Sequence, residues 1–103
     1  MENKIICGVY KITSPSQRIY IGESKNIYGR WRSYKAVRCK SQNRLYASFI
    51  KHGIENHKFE IIEECDKSEL VGKENYYIKL YKSNNVNNGY NLAMVSEDRK
   101  NSF

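Results

Sequence analysis

The sequence predicts an α+β domain: a small three-stranded antiparallel sheet flanked by about three helices. Three observations predict it. Two apolar, β-branched runs lie either side of a polar turn near the N-terminus. A third stretch, His57 to Glu64, alternates apolar and charged side chains. Three further segments repeat apolar residues at helical spacing, two before that stretch and one after it. At 103 residues the chain makes one domain, with a core large enough to fold alone and no room for a second.

In the hairpin, Ile5 to Ile12 is the first strand and Thr13 to Gln17, holding the chain's only proline, is the turn. Arg18 to Gly22 is the second strand. Pairing Tyr10 with Tyr20 sets Gly8 opposite Gly22 and, on the other face, Val9 against Ile21. One face then carries two adjacent phenols beside two bare glycines. Glycine inside a strand weakens it and often marks a close approach to the backbone. On these fifteen residues alone, a hairpin with ordinary core tyrosines is the favoured reading.

The first helix is capped near Ser24 or Asn26 and runs to about Val37, with Ile27, Trp31 and Tyr34 as its inward stripe. Arg30 lies within that stripe, while Lys25, Arg32 and Lys35 take the opposite side. The second helix runs from Ser41 or Gln42 to His52, with Leu45, Phe49 and His52 on one face and Gly53 as its stop. Asp66, followed by Glu69, makes a capping box for a third helix reaching about Tyr81. Its inward stripe is Leu70, Tyr77, Ile78 and Tyr81. Glu74 falls on the same side, and carboxylates are rarely buried without a partner or a metal. Arg30 and Glu74 therefore each point a charge toward the sheet. The Asn-rich run from Asn84 to Gly89 reads as a turn with Asn88-Gly89 as its φ-positive corner.

Charge narrows the partners. Eighteen Lys and Arg against eleven Asp and Glu leave a net +7, alongside nine tyrosines and a tryptophan, a balance suited to a polyanion. No long apolar run suggests a signal peptide or membrane span, and mean hydropathy is −0.76. Three cysteines (Cys7, Cys39, Cys65) without CxxC spacing suit a reducing cytoplasm and no zinc site, with Cys7 and Cys65 buried beside strands. With two histidines, no histidine cluster is available for metal. The residues alone leave two further classes open. One is a catalytically silent nucleic-acid-binding module that uses cations and tyrosines for phosphate contact and stacking. The other is an interaction protein in which Arg30 and Glu74 form a structural ion pair.

In order along the chain, Gly8-Val9-Tyr10, Tyr20-Ile21-Gly22, Arg30, the segment Asn43 to Gly53, Glu74 in KENYYIKLY and Asn91 in NGYNLA resemble the GIY-YIG nuclease family. Residues 1–93 would form its catalytic domain and 94–103 a short polar tail. Two positions depart from common patterns. Homing-type members often carry histidine one turn after the arginine, where this chain has Tyr34, as excision-repair incision nucleases do. Those repair enzymes commonly have lysine after YIG, where this chain has Glu23.

The resemblance implies a metal-dependent DNA endonuclease, such as a free-standing phage or mobile-element nuclease; cutting both strands would require a homodimer or two sequential nicks. It implies one divalent ion, Mg²⁺ with Mn²⁺ able to substitute, bound through Glu74, and no small-molecule cofactor. Arg30 would neutralise charge at the phosphoryl group. Tyr10 would orient or deprotonate the attacking water, a base role requiring nearby cations to lower its pKa from about 10. Tyr20 and Tyr34 would help place phosphate and water. Asn91 would tie the helix region in place, and Gly8 and Gly22 would admit the DNA backbone.

Overall fold

A computed structural model describes residues 5–35, 43–85 and 87–91 of the chain. Three strands form one sheet: β1 (Gly8–Thr13), β2 (Ile19–Ser24) and β3 (Lys58–Glu64). Their order is β2-β1-β3, and both pairings are antiparallel. Three helices flank the sheet: α1 (Ile27–Lys35), α2 (Asn43–His52) and α3 (Leu70–Tyr81). The expected tail 94–103, Cys39, and the expected boundaries at Val37, Ser41 and Gln42 lie outside the described residues. No described helix is long and apolar enough to cross a membrane.

The hairpin register differs from the expected one. Tyr10 pairs with Gly22, Ile12 with Tyr20, Val9 with Glu23 and Lys11 with Ile21, while Gly8 pairs with Ser24. The turn decides this. Its five residues, Ser14 to Arg18, close through Ser14 N–H donating to the Arg18 carbonyl at 2.9 Å. Arg18 N–H donates to Ser14 Oγ at 3.1 Å, and Gln17 adopts φ 70°. Thr13 therefore belongs to β1, and each partner moves by two residues. An even shift preserves faces, so Tyr10 and Tyr20 still share one.

A second irregularity sorts the charges on β3. Val9 pairs with Glu63 but Tyr10 pairs with Ile61, so Ile62 is the extra residue of a bulge. Ile62 then packs with Val9, Ile21 and Ile78. Strict alternation would have aimed Glu63 at the phenol face. The bulge instead sends it toward α3, where its carboxylate accepts from Tyr77 Oη at 2.8 Å and lies 2.9 Å from Lys73 Nζ.

The sheet separates two apolar clusters. On one face Tyr10, Ile12 and Tyr20 pack with Ile27 and Tyr34 of α1 and Leu45 and Phe49 of α2. On the other, Val9 and Ile21 pack with Ile78 of α3. Burying each such aliphatic side chain contributes roughly 1.5–3 kcal/mol, which anchors the helices to their faces. Local chemistry agrees: Asn26 Oδ1 accepts from Gly29 N–H at 3.1 Å to cap α1. The Asp66–Glu69 capping box forms around a single 3₁₀ turn before α3.

Two smaller expectations fail. Gly89 has no positive φ; that conformation falls on Lys82 at 55°, which ends α3. Glycine is needed at 89 because a Cβ there would lie 2.3 Å from the Ile19 carbonyl oxygen, where the turn bridges onto β2. Cys7 and Cys65 are half-buried, not buried, because they continue the strands past the sheet's end.

His57 holds the α2–β3 junction. Its Nδ1 lies 2.9 Å from the Gly53 carbonyl oxygen, which can only accept, so Nδ1 carries the proton. Nε2, 2.7 Å from Ser48 Oγ, then accepts from that hydroxyl. Burial lowers the imidazole pKa; the Gly53 carbonyl opposes this, the His52 charge adds to it and Glu55 opposes it. A lowered folded pKa makes the unfolded chain bind more protons, so stability is full above about pH 6.5 and falls as pH drops through the folded value. Urea midpoints should drop on acidification across that window, and His57→Gln should flatten the profile. A wild-type profile that is already flat contradicts this role.

Candidate active site

The centre of the phenol face is Tyr10, which has no solvent exposure. Its hydroxyl lies 2.6 Å from the Tyr34 hydroxyl. Tyr34 is i+4 from Arg30, so α1 presents both to the same point. Trp31 meets the Tyr10 ring edge-on at 5.9 Å, and Tyr20 lies 6.4 Å away, ring centre to ring centre. Thus Tyr10, Tyr20, Tyr34 and Arg30 converge. Arg30 is exposed at the margin of the core rather than within it, with its side chain hydrogen-bonded to Tyr34. Behind them Trp31 and Phe49, both expected to face inward, meet Phe59, which the sequence did not single out: Trp31 and Phe59 lie 5.3 Å apart and Phe49 stacks on Phe59 at 6.3 Å.

Burial pushes the Tyr10 phenol well above its ordinary pKa, and the neighbouring Tyr34 and Tyr20 add to that rise while Arg30 opposes it. Burial also raises Tyr34, against hydrogen bonds with Tyr10, Arg30 and Tyr20 that lower it. Both phenols keep their protons near neutrality. The expected base role for Tyr10 needed a lowered value, and the direction is the opposite. Partial desolvation works against the Arg30 cation, but the phenols outweigh it, so its pKa is raised. Arg30 is a fixed positive charge.

The glycines have a different purpose from the expected one. A Cβ on Gly22 would lie 2.4 Å from both Cζ and Oη of Tyr10, so that space is filled by the phenol and not left for DNA. At Gly8 the bulge brings the Glu63 carbonyl oxygen to 2.1 Å from a Cβ position. Both are sites of close internal packing.

Asn91 grips the free edge of β2. Its Oδ1 accepts from Ile21 N–H and its Nδ2 donates to the Ile21 carbonyl, both at 2.8 Å. Ser83 Oγ also donates to Oδ1 at 2.7 Å. Ile19 is held likewise, donating to the Asn88 carbonyl and accepting from Tyr90 N–H. This pairing satisfies backbone groups an edge strand would expose. It also fixes the strand bearing Tyr20 and Gly22 to the loop just after α3.

Glu74 reaches the sheet from the other side. It lies one turn before Ile78 and is 6% exposed, on the helix that packs against Val9 and Ile21. The helices bearing Arg30 and Glu74 therefore cover opposite faces of the sheet, a point their spacing left open. The edge strand β2 is what they share, with Tyr20 turned to the phenols and Ile21 to α3. Among the described residues no three His, Cys, Asp or Glu side chains converge on a metal position. The buried Glu74 carboxylate is a hard oxygen donor, the kind that Mg²⁺ takes alongside retained water.

The profile of the GIY-YIG catalytic domain matches residues 6–91. The chain belongs to the GIY-YIG nuclease family. Two solved structures are similar to it. A point mutant of the catalytic domain of intron endonuclease I-TevI is 32% identical, with 89% of this chain and 98% of that one covered at a TM-score of 0.76. The catalytic domain of homing endonuclease I-TevI is 33% identical, covering 84% and 98% at a TM-score of 0.71. Comparison with curated proteins gave no match. The three-stranded antiparallel sheet with three helices is thus the GIY-YIG catalytic fold.

Proposed function

We propose that this GIY-YIG domain is a Mg²⁺-dependent endonuclease that hydrolyses phosphodiester bonds in DNA. One observation carries the reading most: the Arg30 guanidinium is set at the margin of a buried cluster of three phenols, two of which, Tyr10 and Tyr34, hold their protons. Hydrolysis builds negative charge on the phosphoryl oxygens, and a fixed fork of donors stabilises that charge without reorganising. Arg30 supplies the fork. Tyr20 and Tyr34 place hydroxyl donors beside it, and Tyr10 holds the Tyr34 hydroxyl in position through the 2.6 Å bond. Tyr10 acts by orientation, since its raised pKa keeps the proton in place.

Glu74 would hold the Mg²⁺, whose contribution when bound would be Lewis-acid stabilisation of the phosphate. Mn²⁺ shares the preference for oxygen ligands and should substitute. The net charge of +7 supports a nucleic-acid substrate, and the intron and homing endonuclease neighbours support a mobile-element role.

Supercoiled plasmid incubated with Mg²⁺ should convert to nicked or linear DNA, and EDTA should prevent it. DNA that stays supercoiled in both lanes, while gel shifts show binding, would make the domain a silent binding module.

A further inference from the structure

A second cationic feature lies away from the phenol cluster, where the hairpin turn meets α2. Arg18, Arg44, Lys51 and His52 line a cavity of about 420 Å³, with Ser16 and Tyr90 among its hydroxyl donors. No carboxylate is among its lining residues. Lysines on the α3 and β3 side are different: Lys73 lies beside Glu63, and Lys11 and Lys58 both approach Glu60. Among the described residues, no ion pair joins the cavity's Arg18, Arg44 or Lys51 to an acid. Three of them converging on one concave place is costly by mutual repulsion unless an anion relieves it.

Its position is informative. Arg18 precedes Tyr20 by two residues, about 6.6 Å along extended backbone, and phosphates of one strand advance about 3.4 Å each along a duplex. Arg44 reaches further inward, donating from Nη1 to the Asn91 carbonyl at 3.0 Å. One wall of the cavity is therefore tied to the clamp that holds β2.

We propose that this cavity binds a DNA backbone phosphate that flanks the scissile one on the side of the hairpin turn. The proposal rests on the nuclease reading for its substrate but not for its readout. Arg18 and Lys51 supply the charge, and the Ser16 and Tyr90 hydroxyls supply neutral donors. Such contacts position a substrate without reading its sequence.

The test is the salt dependence of DNA affinity, measured by fluorescence anisotropy on a labelled duplex. Arg18→Gln with Lys51→Gln removes two charges from the cavity; Arg44 is left in place because it holds the Asn91 carbonyl. Lys67→Gln with Lys79→Gln removes two exposed charges elsewhere. The cavity pair should weaken binding about 10- to 100-fold and flatten the slope of log K against log salt by about 1–2, while the control pair barely moves either. Single-turnover nicking at saturating DNA should hold within about threefold for the cavity pair, since a positioning contact acts on binding. Equal shifts from both pairs, no shift from the cavity pair, or no DNA binding by the unsubstituted chain would overturn the proposal. So would a nicking rate that falls while affinity holds. A chain that shows the expected slopes yet never nicks DNA would remove the nuclease reading and leave this phosphate site standing.

Discussion

Arg30→Ala is expected to slow DNA nicking by about 10²–10³-fold, the usual cost of removing one preorganised donor from a developing oxyanion. Its effect on folding should be small, because Arg30 is exposed and the Tyr10–Tyr34 bond does not need it. Substitution at such a surface position usually changes stability by about 0.5 kcal/mol or less. Arg30→Lys should recover only part of the rate, since a lysine keeps the charge but loses the planar fork. Measured as single-turnover rates beside thermal melts, the two variants separate chemistry from structure. An alanine variant nicking at the wild-type rate would move the phosphate to some other place on the domain.

Gly22→Ala should damage the fold from inside the same cluster. The added methyl would stand 2.4 Å from Tyr10 Oη and Cζ and 2.8 Å from Cε1, far inside van der Waals contact. Tyr10 cannot swing away, because Tyr34 holds its hydroxyl and Trp31 packs edge-on against its ring. Overpacking of this kind costs about 1–3 kcal/mol or more, which for a domain this small lowers the melting temperature by roughly 5–20 °C. Gly72→Ala is the matching control. Nothing lies within 4 Å of its Cβ position in α3, so helix propensity alone should stabilise it by about 0.5–1 kcal/mol. Opposite signs for the two glycines would support the packing account; equal melting temperatures would not.

Much of this was legible in the residues, for identifiable reasons. Apolar spacing located the three strands and three helices, while Asp66 with Glu69 marked the 3₁₀ turn that leads into α3 and not the first turn of α3 itself. Tyr10, Tyr34 and Arg30 converge as their alternation and i+4 spacing suggested. Alternation reports which face a strand residue occupies but not its partner, so the turn closed by Ser14 and Arg18 could move the register unseen. The left-handed Gln17 has no glycine or asparagine to announce it. The bulge at Ile62 is equally silent, and it alone decides that Glu63 meets Lys73. Spacing shows that Glu74 turns inward on its helix; it says nothing of which side of the sheet that helix covers, because the connection from β3 to α3 settles that.

The site account depends most on Glu74, whose carboxylate comes from the face opposite Arg30. The most direct test is nicking of supercoiled plasmid in Mg²⁺ by Glu74→Gln, which keeps the buried volume and removes the charge. Melting temperature and DNA affinity would be followed on the same preparation. Nicking should fall by about 10³-fold or more, with affinity within a few-fold of wild type, as for loss of a group acting mainly in the transition state. A Glu74→Gln protein that nicks at the wild-type rate would contradict the account, and the metal would then have to be held elsewhere.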